Sequence, residues 1–460
     1  MPLPLKQARD ALLDQVRMWQ RSGSPPNDTR HTIACLSTPV LHTDALLWLR
    51  GQRGQPKIFW SERERYEVFA GFGTAWNVTA QGPVAYREAM QEVHSLLEDA
   101  APEVRFWGGC RFDAASRVAE EWRKWPAACF VLPRIALCEN GTGCYLMGFI
   151  PRFSTADEHA ALDALGTSLA QLLDTPPDEG TMPKAAHQRC HDVVGKKQWR
   201  DALSLALEGI RGRSLQKVVM ARAVDVTLTH STPPLELLQS LRKTVPQAFH
   251  FSFQVDDSNG FLGATPELLY HRRGYEIASE ALSGTTSRGG DTHEDASLAE
   301  ALKSDDKECR EHLSVLEYLE ATLQPLCTRL ERVALMECLM LPKVQHLRSR
   351  VQGTLRAEVG DVDLLCALHP TPAVAGLPKA LARVFIKQIE PFDRGWYTGP
   401  VGWVSGAETQ FAVALRCGLL ANDNLRVYAG AGIVAGSEAL REWHETEMKL
   451  SNWTTLLQPI

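Results

Sequence analysis

The stretch "TQFAVALRCGLLANDNLRVYAGAGIV", Thr409 to Val434, alternates apolar with polar or small residues on both sides of Asn422-Asp423-Asn424. That pattern predicts two antiparallel strands joined by a tight Asn/Asp turn. The continuation "AGSEALREWHETEMK", Ala435 to Lys449, opens a helix expected from Ser437 to about Leu457. Gly430, Gly432 and Gly436 resemble, at first sight, the phosphate-binding turn of a dinucleotide fold. Such a turn sits inside a βαβ unit, with an acidic residue about 20 positions on at the end of the next strand. No second strand is legible after Gly436, so the glycines must serve another end. They are expected to let backbone approach a ligand and to offer amides to an anion at the helix entrance.

The same reading extends outward. "KVVMARAVDVTL" (Lys217 to Leu228) and "AFHFSFQV" (Ala248 to Val255) are strand-like, rich in β-branched and aromatic residues. "FLGATPELLYHRRGYEIAS" (Phe261 to Ser279) reads as two strands around Arg273-Gly274, and "SLAEALKSDDKECREHLSVLEYLEATLQPL" (Ser297 to Leu326) as one long helix. Earlier runs read as strands among helices: "ALLWLRG" (Ala45 to Gly51), "YEVFAGFG", "RFWGGCRF" and "ACFVLPRIALC". A Pro/Gly-rich break at Leu172 to Gln188 separates an N-terminal part, 1–185, from 186–460. Strands paired through hairpins indicate an α+β fold more than a doubly wound sheet.

Composition narrows the function. The chain has 460 residues, 44% hydrophobic and 23% charged, with a net charge of -6, which makes no case for nucleic acid or anionic lipid. No apolar run of about 18 residues predicts a membrane span. The start, "MPLPLKQARDALLDQVRMWQ", reads as an amphipathic helix without a signal-peptide core. Eleven cysteines without a C-x-x-C pair fit reduced thiols of a cytoplasmic protein, most of them filling the core.

Glu442 and Glu445, with Lys449 four further on, share one helical face, and Glu308 and Glu311 repeat the spacing. One such pair is most often a solvated face. Two can instead meet across a cleft and bind a metal. A di-iron site needs Glu-x-x-His on two helices, and neither His312 nor His444 falls at that spacing. Oxygen ligands alone suit Mg²⁺.

These segments resemble the chorismate-utilising enzymes, a family that includes anthranilate, aminodeoxychorismate, salicylate and isochorismate synthases. The resemblance rests on "KVVMARA", "FLGATPELL", "EALSGT", "DDKECREH", "VQHL", "LHPTPAVAGLP", "WYTGPVGW", "VALR" and "YAGAGIVAGSEALREWHETEMK", in family order over Lys217 to Lys449. The N-terminal half matches loosely, through "FWGGCRFD" and "FVLPR". The family fold is one large α+β domain with a mainly antiparallel β-sandwich core flanked by helices. By that analogy the break near residue 180 is a loop within one unit.

Within the family the chain looks most like the isochorismate synthases, in which water attacks C2 of chorismate as the C4 hydroxyl leaves. The resemblance then implies Lys217 as base and Glu267 as acid. Glu311 and Glu445 are implied as Mg²⁺ ligands, with Glu308 and Glu442 behind them. Tyr397 and Arg416 are implied as contacts to the enolpyruvyl carboxylate, and Lys449, Gly284, Thr285, Gly430 and His346 as further substrate contacts. The nearest rival is a salicylate synthase, which goes on to eliminate pyruvate. Family lyases tend to carry Thr where this chain has Ala373. Aminodeoxychorismate synthases have Lys at the position of Ser283, and ammonia-using relatives have Gln at that of Lys217. A chorismate-binding subunit dependent on a glutaminase partner is the remaining alternative. The expectation is a monomer acting on chorismate with no obligatory protein partner.

Overall fold

The computed structural model describes residues 1–23, 32–64, 66–175 and 186–459. Most of the predicted break, from 176 to 185, lies outside the described residues. Two large sheets, antiparallel but for a short parallel pairing of Gln458–Pro459 with Ala186–His187, contain thirteen and nine strands among the described residues. Both mix strands from either side of the break. In the larger sheet Lys57–Ser61 pairs with Phe249–Asp256, and in the smaller Phe106–Cys110 pairs with Pro400–Val404. The sheets meet across an aromatic core. Trp107 of the smaller sheet stacks on Phe69 of the larger at 4.0 Å between centroids, with Trp60 and Trp403 around it. Truncating Trp107 to Ala would cost about 3–5 kcal/mol. Helices Leu5–Ser22, Pro234–Thr244 and Ala439–Leu456 contribute Trp19, Leu238 and Trp453 to a second core that includes Phe59 and Leu262 of the larger sheet. This is the expected α+β sandwich.

Four local readings change. "ALLWLRG" is a helix, Ala45–Gly51, because the Asp44 carboxylate accepts from the Leu47 amide at 2.9 Å and starts it. A short apolar run carries no period by which to tell helix from buried strand. The long helix is two, Thr292–Ser304 and Asp306–Leu323, since Asp305 turns extended and caps the second by accepting from the Lys307 and Glu308 amides. Phe261 to Ser279 spans three strands, interrupted at Pro266-Glu267 as well as at Gly274. The opening hairpin is confined to Cys417–Ala421 and Asn424–Ile433, closed by Asn422-Asp423 with Asn422 at φ 60°. Its first predicted strand divides at Ala414 to Arg416. Gly430 and Gly432 are therefore strand residues, and Gly436 alone, at φ 91°, lies in the turn before the helix.

Candidate active site

The two unpredicted interruptions are crossings between sheets. Asn259–Thr265 belongs to the larger sheet and Leu268–Arg273 to the smaller, with Glu267 between them. Glu408–Val413 belongs to the smaller and Cys417–Ala421 to the larger, with Arg416 between them. The crossings are tied together: the Val413 amide donates to the Glu267 carbonyl at 3.0 Å, and the Thr265 hydroxyl donates to the Val413 carbonyl at 2.5 Å. Arg416 holds φ 47°, a left-handed value costly for a side chain of its size and sustained only by its surroundings. Between these crossings, the Asn424–Ile433 strand and the two acidic helices lies a cleft of about 710 Å³, counting its open mouth.

Eleven of the predicted residues line it. Glu267 and Arg416 come from the crossings, and Gly284, Thr285 and His346 from adjacent strands of the smaller sheet. Ala373 and Tyr397 form another wall, and Gly430, Glu311, Glu445 and Lys449 complete it. Lys217, Glu308 and Glu442 stand one layer back. Lys217 reaches the cleft through Glu311, whose Oε1 lies 2.9 Å from its Nζ. Gly432 makes that pair possible, because a Cβ there would fall 2.4 Å from Glu311 Oε1 and 3.0 Å from Lys217 Cε.

Glu267 is 4% exposed. Burial, reinforced by the charge of Glu280, pushes its carboxyl group up to about 8 against the pull of Lys217 and Lys449. It is a neutral acid near pH 7, poised to donate.

Arg416 is also buried, and burial draws it down to about 10, so it stays a cation. Among the described residues no carboxylate pairs with it. Its Nη2 instead donates to His346 Nε2 at 2.6 Å. A guanidinium has no lone pair to return, so His346 carries its proton on Nδ1, which faces the Gly284 carbonyl at 3.2 Å and the Thr285 hydroxyl at 3.1 Å. Burial, with Arg416 and Lys449 nearby, holds the imidazole well below its ordinary pKa and therefore uncharged. Tyr397 stacks on Tyr428 at 4.8 Å, and a Cβ on Gly430 would come within 3.0 Å of its hydroxyl. The result is a buried positive socket whose guanidinium has no carboxylate partner among the described residues.

The four glutamates oppose it. Lys307, not anticipated from the sequence although "DDKECREH" contains it, bridges Glu308 at 3.2 Å and Glu442 at 2.9 Å. Lys449 holds Glu445 at 2.7 Å and donates to the Gly430 carbonyl at 2.9 Å. Burial, with the charges of Glu311 and Glu445, pushes Glu308 above the usual carboxylate range despite Lys307. Burial and Glu445 do the same to Glu442, while Lys449 holds Glu445 below that range although burial opposes it. Among the described residues no three acidic, His or Cys side chains converge as a finished coordination shell. Each glutamate has a lysine instead. The donor set nevertheless fits a hard divalent cation: four carboxylates, two of them raised by burial and by neighbouring glutamate charge, both of which such a cation would offset.

The family of chorismate binding enzymes matches residues 18–458. The chain belongs to that family. It is 33% identical over 417 residues to isochorismate synthase MenF of Escherichia coli (strain K12), covering 90% of this chain and 91% of that one. It is 32% identical over 422 residues to the salicylate biosynthesis isochorismate synthase of Pseudomonas aeruginosa, 89% and 86% covered. The solved structure of MenF, the menaquinone-specific isochorismate synthase from Escherichia coli, superposes with a TM-score of 0.83 at 31% identity, over 97% of this chain and all of that one. Chorismate, which this family binds, is a dicarboxylate.

Proposed function

We propose that the chain is an isochorismate synthase that converts chorismate to isochorismate with Mg²⁺, without a glutaminase partner. One observation carries this: a single cleft holds a buried carboxyl group that is neutral near pH 7 and a buried guanidinium that no carboxylate pairs among the described residues. Arg416 and Tyr397 take the enolpyruvyl carboxylate, the planar guanidinium gripping it in two places. Lys449 serves the ring carboxylate. Lys217 removes a proton from the water that attacks C2, and Glu267 protonates the C4 hydroxyl as it departs as water. The ring double bonds shift between them, and the two protons balance. Glu311 and Glu445, backed by Glu308 and Glu442, would hold Mg²⁺, whose contribution when bound is to neutralise the ring carboxylate beside the reacting carbon.

The direct test incubates the purified chain with chorismate and Mg²⁺ and resolves isochorismate, salicylate and pyruvate by chromatography. Isochorismate is expected without added glutamine, with little pyruvate, in keeping with Ala373 on the cleft wall. EDTA should abolish turnover and Mg²⁺ restore it. Pyruvate appearing as fast as chorismate disappears would replace this reading with a lyase. Full turnover in EDTA would remove the metal from it.

Arg416→Gln separates binding from chemistry. Losing a charged hydrogen-bond donor to a carboxylate costs about 1.5–3 kcal/mol, so KM for chorismate should rise roughly ten- to a hundredfold. An unchanged KM would place the enolpyruvyl carboxylate elsewhere.

A further inference from the structure

Glu267 is held from behind by an ion pair between Arg63, which lies outside the family signatures, and Glu280, the first residue of "EALSGT", to which the resemblance assigns no role. Arg63 follows the Lys57–Ser61 strand in the N-terminal half, and Glu280 lies on the Glu276–Ser287 strand beside the crossing. Arg63 Nη1 donates to the Pro266 carbonyl at 2.7 Å. The Leu268 amide donates to Glu280 Oε1 at 2.9 Å. The two side chains join in a two-pronged ion pair at 2.7 and 3.1 Å, with Glu280 almost fully enclosed and Arg63 over the Phe249 ring. The peptide groups on both sides of Glu267 are thus gripped by one ion pair. We propose that Arg63 and Glu280 are positioning residues for Glu267, fixing its backbone at the crossing and keeping a negative charge behind its carboxyl group.

The inference rests on Glu267 being the acid and gives the N-terminal half a part in the chemistry. A crossing has no ladder of its own to hold it, since its neighbours lead into different sheets. A bidentate guanidinium–carboxylate pair supplies directional restraint in place of that ladder. It also supplies charge. The charged groups around Glu267 are Glu280, which opposes loss of its proton, Lys217 and Lys449, which favour it, and Arg63, paired with Glu280 and bound to the Pro266 carbonyl.

The test is the pH dependence of kcat/KM for Glu280→Gln, which keeps an oxygen for the Leu268 amide and removes the charge. Removing a like charge lowers the pKa of the acid, so the alkaline limb should move to lower pH by about one unit. Arg63→Gln should lower kcat roughly tenfold with KM within about twofold, and Arg63→Lys should recover part of it. A purely structural pair would change the melting temperature and leave the limb where it was. If Arg63→Gln does not fold, the Glu280→Gln profile decides alone. An unmoved limb in folded Glu280→Gln, with Glu267→Gln inactive, would overturn the proposal. A fully active Glu267→Gln would instead overturn the assignment of Glu267 as the acid.

Discussion

The Glu267→Gln variant is expected to bind chorismate and to turn it over at least a hundredfold more slowly than the parent chain. The amide fills the same space at the crossing and cannot surrender a proton to the C4 hydroxyl. The loss should fall on kcat, because Arg416, Tyr397 and Lys449 remain to hold both carboxylates. In the parent, activity requires the protonated form, so kcat/KM should decline as pH rises through about 8. The same shift has a consequence for stability. The folded pKa of about 8 stands above the ordinary carboxylate value of 4.5. The folded state therefore keeps a proton that the unfolded chain releases above about pH 4.5. The stability this site contributes is complete below that pH and is lost progressively up to about 8, by at most about 5 kcal/mol. Gln has no proton to lose, so the Glu267→Gln chain should gain in melting temperature relative to the parent between pH 5 and 8. Thermal melts across that window, alongside steady-state kinetics, measure both effects. Parent-like kcat, or a melting difference that does not vary with pH, would rule out a buried neutral acid at this position.

What the sequence made legible follows from which features are local. Lys217–Leu228 reads correctly end to end because a run of β-branched and small apolar residues is enough to specify a buried strand. The Glu-x-x-Glu spacing put two carboxylates on each helix face, and one of each pair, Glu311 and Glu445, lines the cleft with its partner behind it. The crossings at Glu267 and Arg416 were invisible, since a strand that changes sheets keeps its alternation and shows only a Pro or an "ALR" in passing. The split at Asp305 was missed for a similar reason: apolar spacing runs on through it, and only the capping carboxylate marks the break. Lys307 and the Arg63–Glu280 pair depend on contacts between segments 135 and 217 residues apart, which no window along the chain can contain. The glycines misled for the opposite reason. Their motif resembled a turn, whereas two of them are bare positions in a strand that make room for Tyr397 and for the Lys217–Glu311 pair.

Lys217→Ala should lose turnover by about a hundredfold to ten-thousandfold, with chorismate binding retained. The difficulty is that Lys217 has two possible uses. It lies 2.9 Å from Glu311 Oε1 and is 2% exposed, so loss of activity could reflect an uncompensated Glu311 and not a missing base. Lys217→Arg separates the two. Arginine preserves the counter-ion and, always protonated in proteins, cannot accept a proton from water. If Lys217 is the base, both variants are inactive, and a small primary amine added to Lys217→Ala restores part of the rate in proportion to its free-base concentration. If Lys217 only balances Glu311, Lys217→Arg recovers most of kcat and the amine does nothing. The neighbouring groups leave few substitutes. His346, the one imidazole on the cleft wall among the described residues, has its lone pair engaged by Arg416 at 2.6 Å, and Lys449 is bound to both Glu445 and the Gly430 carbonyl. Folded Lys217→Arg with near-parent kcat would therefore leave solvent as the proton acceptor and reduce Lys217 to an electrostatic part.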